Sequence, residues 1–103
     1  MIICNTTYCM EEERVETFLE WLRAEHLPRM EATGVLKDPV VSRVMSSSGY
    51  GDESVAISVQ LRAESMVVYE AWAERERERT EMMLRQKFGE TVLGFTTLME
   101  VLQ

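Results

Sequence analysis

The only histidine of the sequence, His26, is the side chain best suited to acid–base chemistry. An unperturbed histidine has a pKa of about 6.5 and exchanges protons near neutral pH. His26 lies eleven positions after Val15 on a predicted helix, which places it near the apolar face and pointing inward. It could act there as a general base or a haem ligand, in a pocket between helix and sheet. We favour a structural histidine, hydrogen-bonded near Pro28, because no Asp or Cys motif accompanies it.

Arg75 and Arg79 form a second candidate site, for an anionic ligand. They are one turn apart on another predicted helix, at spacings that place them on the same side as Trp72. Two arginines at a groove could bind a carboxylate or a phosphate. Such side chains more often extend along a sheet edge or pair with acidic residues of a partner chain. Because Glu and Arg alternate around them, we interpret this stretch as a solvated or interfacial face.

Trp21 and Trp72 are weak candidates for contacts to an apolar ligand. Together with the eight methionines they fit helix packing, although methionine-rich surfaces also accept varied apolar molecules. The carboxylates Glu12, Glu16 and Glu20 recur at every fourth position, which is typical of a solvent-facing helix stripe. The sequence therefore predicts no metal site and no bound cofactor.

Length and charge narrow the class of protein. The acidic chain of 103 residues predicts a single domain over residues 1–103. Its net charge of −7 would repel nucleic acid and anionic membranes, so we expect neither as a partner. No apolar stretch is long enough to span a membrane, and the start turns polar at Asn5, so a cytoplasmic protein is expected. Cys4 and Cys9 fall on opposite faces of one predicted strand and cannot pair with each other.

Hydrophobic periodicity predicts six elements along the chain. The expected strands are residues 2–10, 38–46, 54–62 and 92–99, and the expected helices are residues 12–33 and 65–88. A turn over residues 46–52 joins the second and third strands into a hairpin. Ser65 is a plausible N-cap, and Gly89 ends the second helix. Pro28 cannot donate to the Ala24 carbonyl, so the first helix should kink or loosen in its last turns.

The order β-α-β-β-α-β is that of the ferredoxin-like α+β fold, in which two helices cover one face of a four-stranded antiparallel sheet. Several segments, namely residues 1–7, 18–22, 26–30 and 88–98, also resemble a family of short bacterial proteins known as domain of unknown function 4286. The resemblance extends over nearly the whole chain. It implies a ferredoxin-like domain akin to the dimeric α+β barrel proteins, without an activity to transfer.

These features predict a non-enzymatic homodimeric module. The helices leave one sheet face bare, and that face carries small or uncharged residues such as Ser54, Ala56, Ser58 and Gln60, which a second sheet can approach closely. A cavity for a small apolar or anionic molecule could remain at this sheet interface. The alternative is a small enzyme of the dimeric-barrel type, a monooxygenase or an isomerase, with His26 as its acid or base.

Overall fold

The computed structural model describes residues 1–45 and 54–103 of the chain. In chain order its elements are β1 (Ile2–Glu11), a 3₁₀ turn (Glu12–Arg14), α1 (Val15–Trp21), a π-helical turn (Leu22–His26), α2 (Leu27–Glu31), β2 (Lys37–Arg43), β3 (Ser54–Ala63), α3 (Met66–Phe88) and β4 (Leu93–Glu100). The predicted order of strands and helical segments is confirmed. The turn predicted over residues 46–52 lies outside the described residues.

The strands form one antiparallel sheet in the order β2-β3-β1-β4. This order places β1 and β3 at the centre, as the ferredoxin-like fold requires. On β3 the apolar residues of the alternating pattern are buried against the helices, as predicted: Val55, Ile57, Val59 and Leu61. The intervening residues of β3 face the other side of the sheet, which we call the open face. The ferredoxin-like fold expected from the sequence is therefore the observed one.

The first helical region differs from the single helix predicted over residues 12–33. It is divided by the π turn, in which the amide of Leu27 donates to the carbonyl of Leu22, five residues earlier. Pro28 follows directly and occupies the first turn of α2, a position at which proline is tolerated. The irregularity therefore lies before Pro28, whereas the sequence placed it in the last turns of the helix. Both Leu22 and His26 of the π turn are buried.

The remaining boundaries follow from local backbone chemistry. The Ser65 hydroxyl accepts a hydrogen bond from the amide of Val68 at 3.3 Å, so Ser65 is the N-cap of α3 as predicted. Gly89 follows α3 with a φ of 58°, a conformation that favours glycine. β2 begins at Lys37, and its pairing with β3 shifts register after it, at Asp38, whose φ is 57°. No helix in the described ranges is long and apolar enough to cross a membrane.

Phe18 lies at the centre of the packing between the helices and the sheet. Its side chain is fully buried, and its ring centroid is 4.9 Å from that of Tyr8 and 5.9 Å from that of Phe88. We expect Phe18→Ala to lower the free energy of unfolding by about 3–5 kcal/mol, because the cavity left behind can only partly collapse. Urea unfolding at one fixed protein concentration measures the change. Val67→Ala, at an exposed position of α3, is the control and should alter stability by less than about 0.5 kcal/mol; a similar loss in both variants would contradict this account of the core.

Candidate functional site

A cavity of about 380 Å³ lies between the helices and the side of β1 and β4 that faces them. This volume falls within the range of about 300–1,000 Å³ typical of small-molecule sites. The main walls come from both strands and from the helical segments: Cys4, Thr6, Tyr8, His26, Tyr69, Trp72, Gly94 and Thr96. The cavity reaches the surface beside the exposed residues Arg77 and Glu81 of α3.

A hydrogen bond between Tyr8 and His26 joins the strand wall of the cavity to the helix wall. The Tyr8 hydroxyl lies 3.1 Å from Nε2 of His26, and both side chains are buried. The imidazole also stacks on Trp21, with ring centroids 4.6 Å apart and an angle of 20° between the planes. His26 is thus held in place by a hydrogen bond at its edge and by an aromatic surface along one face.

Burial keeps this pair uncharged. It lowers the pKa of His26 to about 4, and the neighbouring positive charge of Arg29 acts in the same direction. Burial also raises the pKa of the Tyr8 hydroxyl well above its ordinary value. At neutral pH the inner end of the cavity therefore carries a neutral imidazole and a neutral phenol.

Gly94 provides the space that the Tyr8 ring occupies beside β4. A Cβ atom at position 94 would lie 3.0 Å from Cδ1 and 3.1 Å from Cε1 of Tyr8, closer than carbon atoms normally approach. Any larger residue would press on the ring that carries the hydroxyl partner of His26. Next to this contact, the hydroxyls of Thr6 and Thr96 lie 2.9 Å apart across the two strands. Small side chains at these positions keep the cavity open above the sheet.

The entrance of the cavity carries an ion pair and a threonine of α3. Nε of Arg77 lies 3.3 Å from a carboxylate oxygen of Glu81, and both side chains are more than half exposed. Such an exposed pair contributes little to stability. Between them, the buried Thr80 donates its hydroxyl proton to the Arg77 carbonyl at 2.8 Å. The two charges at the entrance are therefore already paired with each other.

The structure brings only some of the candidate residues together. His26 and Trp72 line the cavity, and Trp21 lies behind His26. Arg75 and Arg79 are exposed and do not line the cavity, although their spacing places them on the same side of the predicted helix as Trp72. Their exposure agrees with the interpretation of this stretch as a solvated or interfacial face. The buried residues of α3 follow a stripe that turns away from both arginines: Tyr69, Trp72, Thr80 and Phe88.

Sequence reasoning missed several residues of the cavity. Tyr8 and Gly94 stand opposite each other in the pairing of β1 with β4, and neither was singled out as a site residue. An interior glycine in a strand is a known sign of close approach by another group, and it was the available signal. Arg77 belongs to the same run of alternating charges as Arg75 and Arg79, and it lies at the cavity entrance.

No group of three or more His, Cys, Asp or Glu side chains within residues 1–45 and 54–103 is placed to hold a metal ion. The thiols of Cys4 and Cys9 are free and lie on opposite faces of β1, as predicted. Burial raises the pKa of Cys4, so its thiol stays protonated at neutral pH. The cavity therefore offers hydroxyl, phenol, indole and imidazole groups as its chemistry.

Sheet order, helix placement and this cavity define a ferredoxin-like α+β domain with a small-molecule-sized pocket under its helices. The chain belongs to the family described as Domain of unknown function (DUF4286), whose model matches residues 1–102. The family resemblance expected from the sequence is thereby confirmed. No curated protein sequence matches the chain.

Solved structures with this fold have little sequence identity to the chain. A dimeric ferredoxin-like protein from an uncultured marine organism is 15% identical, with a TM-score of 0.68 over 99% of this chain and 95% of that one. HapK from Hahella chejuensis is 13% identical, with a TM-score of 0.66 over 99% and 93% of the two chains. A Deinococcus radiodurans protein with the provisional name antibiotic biosynthesis monooxygenase is 14% identical, with a TM-score of 0.65 over 100% and 94%. These similarities establish the fold.

The low pKa of His26 predicts a specific pH dependence of stability. Between pH values of about 6.5 and 4 an unfolded chain protonates His26 while the folded chain does not, so stability falls as the pH falls through this window. From pH 7.5 to 5.5 the loss should be about 1 kcal/mol, above the range in which most carboxylates titrate. Urea unfolding of the wild type and of His26→Gln measures it, and the variant should lack this part of the loss.

The direct check is the imidazole titration by NMR, which needs no assignment because the chain has one histidine. A pKa near 6.5 in the folded protein, or an identical pH dependence in His26→Gln, would contradict the proposed burial of a neutral imidazole.

Proposed function

We propose that this protein is a homodimeric binding module whose cavity between helices and sheet takes a small, largely uncharged organic molecule. The observation that carries the proposal is the cavity itself, of about 380 Å³, with buried hydrogen-bonding groups around its inner end. Binding sites of this kind combine apolar walls with a few placed polar groups. The sequence had suggested a cavity between two sheets, whereas the pocket of the single chain lies on the helix side.

The Tyr8–His26 hydrogen bond supports binding over catalysis. A general base needs its accepting nitrogen within reach of the substrate proton. Nε2 of His26 is already 3.1 Å from the Tyr8 hydroxyl. The pair is well suited to holding the wall of the cavity in one shape, and the alternative of a monooxygenase or isomerase that uses His26 is therefore not the one we propose.

Blocking the cavity tests the binding function. Thr96→Trp would place an indole at the entrance from an exposed position of β4, without removing a core side chain. We expect fragments found to bind the wild type in a ligand-observed NMR screen to lose at least tenfold in affinity. Glu100→Trp adds the same group to the same face of β4 away from the cavity and should leave binding unchanged. A screen without binders, or binders indifferent to Thr96→Trp, would contradict the proposal.

The open face of the sheet supports the homodimer. Large apolar side chains of β4 are exposed there, with 62% of Leu93, 52% of Phe95 and 37% of Met99 accessible. Exposed apolar patches of this kind are typical of protein interfaces. The solved dimeric ferredoxin-like protein with the same fold adds a precedent for self-association. A second copy that covers this face would remove these side chains from water.

Polar side chains at the centre of the open face are compatible with burial in a dimer. The Asn5 side-chain oxygen accepts a hydrogen bond from the Ser58 hydroxyl, and its amide nitrogen lies 3.4 Å from the Thr7 hydroxyl. Buried polar groups need such partners to avoid a large desolvation cost. The charged residues Glu11 and Arg62 lie at opposite ends of the face, so the centre is free of charge.

Charge insertion tests the dimer. Ala56 is partly buried on the open face, opposite Cys9 of β1. Ala56→Arg would place an unpaired charge in a desolvated interface, and we expect it to shift the mass from twice that of one chain to the monomer value of 11.9 kDa. Light scattering at micromolar concentration measures the mass.

Ala71→Arg, on the exposed side of α3, is the matched control and should remain dimeric. A monomeric wild type, or a dimer that survives Ala56→Arg, would show that this face is not the interface.

A further inference from the structure

The two edges of the sheet differ in how they are protected against pairing with another strand. β2, at one edge, carries Lys37, Pro39 and Arg43, and its pairing with β3 shifts register after Lys37. Charges, proline and an irregular register are features by which edge strands avoid unwanted pairing. β4, at the other edge, is eight residues long and has neither a proline nor a charged residue before Glu100. The edge of β4 that points away from β1, which we call the free edge, therefore lacks this protection.

The backbone hydrogen bonds of β4 show which of its residues face the free edge. The amide of Val101 donates to the carbonyl of Met1 at 2.9 Å, so these two residues form a hydrogen-bonded pair in the antiparallel register of β1 and β4. Such pairs alternate along an antiparallel ladder, so the odd-numbered residues of β4 bond to β1. Three even-numbered residues direct their amides and carbonyls to the free edge, with which no strand pairs in the described part of the chain: Gly94, Thr96 and Leu98.

Leu98 is an apolar side chain that the proposed open-face dimer would leave in water. It lies on the helix side of β4, opposite Cys4 of β1, and 37% of it is exposed. All eight residues of β4 are exposed, so the helices leave this strand accessible. A copy packed on the open face would cover Phe95 and Met99 but not Leu98, because side chains alternate between the two faces. A strand added at the free edge would lie beside Leu98.

The sequence of β4 is complementary to a second β4 that runs in the opposite direction. Only even-numbered residues point to the free edge, so two such strands must pair even-numbered residues with each other. The register centred on Thr96 pairs all three of them, and these pairs exchange about six hydrogen bonds. Glu100 is then opposite Val92, so no like charges face each other. This register opposes the following residues of the two copies: Thr96 and Thr96, Gly94 and Leu98, Phe95 and Thr97, Leu93 and Met99.

We propose that the free edge of β4 pairs with the same strand of a second copy, antiparallel and centred on Thr96, so that two sheets join into one. Leu98 of the second copy then lies about 5.5 Å, Cα to Cα, from Gly94, on the face that lines the cavity. Each copy thereby adds a leucine beside the Tyr8 ring of the other, at the position where Gly94 has no side chain. This contact goes beyond the proposed open-face dimer and uses a different surface, so it can join two such dimers into four chains.

Ala56→Arg isolates the edge contact, because the substitution is designed to separate the open faces. A contact through one strand buries less surface than a standard interface, so we expect the pairing to be weak. Sedimentation equilibrium of Ala56→Arg should show the mass rising from one chain towards two between about 10 μM and 1 mM, a range typical of such small contacts. Over the same range the wild type should rise from two chains towards four.

Thr96→Lys and Thr96→Glu, each made in Ala56→Arg, test the register. Position 96 faces itself across the two-fold axis, so either substitution places two like charges opposite each other. We expect each to weaken the pairing about fivefold at low salt. An equimolar mixture of the two variants places lysine opposite glutamate and should restore the pairing, a rescue that damage to the fold would not produce.

Hydrogen exchange in Ala56→Arg gives a second measurement. The Thr97 amide bonds to β1 and should exchange slowly at every concentration, whereas the Thr96 amide should become protected only as the mass rises. A variant that remains one chain at the highest concentration, or a mixture that pairs no better than its components, would overturn the edge contact and leave the open-face dimer intact. A wild-type dimer that Thr96→Lys splits and Ala56→Arg does not would support the edge contact and overturn the open-face dimer.

Discussion

The buried hydrogen bond between Tyr8 and His26 constrains how the first helical region lies on β1. The Tyr8 hydroxyl and the His26 imidazole both lose their hydrogen bonds to water when they are buried, and the hydrogen bond between them replaces that loss. Without it, each buried group would cost about 1–3 kcal/mol. Two local features make this hydrogen bond possible. The π turn ends at His26 and changes the helical register just before Pro28. On the opposite side, Gly94 leaves room for the Tyr8 ring. π turns of this kind occur often at functional sites, and here the turn forms part of a cavity wall.

The cavity follows from an uneven distribution of side-chain size across one sheet face. On β3 the helix-facing residues are mainly branched and fill the space under the helices. On β1 and β4 several helix-facing positions hold small residues, among them Cys4, Thr6, Gly94 and Thr96. Protein interiors are normally packed as densely as organic crystals. Because the short side chains of β1 and β4 do not reach the helices, they leave an unfilled volume between sheet and helices. The fold therefore packs fully on the β3 side and leaves a pocket on the β4 side.

Much of the fold was predictable from the sequence because its signals are local. Alternation identified β3 and its buried face, and Ser65 with Gly89 marked the ends of α3. The cavity depends on how distant segments meet, which periodicity does not encode. A helical wheel puts Arg75 and Arg79 on the same side of α3 as Trp72, but it does not show which of these side chains reach the sheet: in the structure Trp72 lines the cavity and both arginines are exposed. The partner of His26 is eighteen residues away on another element, so no spacing rule could identify Tyr8.

The strand alternation of β4 also connects the two proposed properties of the protein. Side chains of neighbouring residues point to opposite faces. The side chain of Thr96 is therefore on the face that lines the cavity, and the side chains of Phe95 and Thr97 are on the open face. In the described part of the chain β4 lies at the edge of the sheet and pairs with β1 alone, which leaves its position less constrained than that of a central strand. Contact with a second copy through Phe95 would restrain the backbone that carries Thr96 and Gly94, and with it the wall against which Tyr8 packs. Dimerisation would thus define the shape of the cavity without contributing a side chain to it, because the same eight-residue strand forms part of both surfaces.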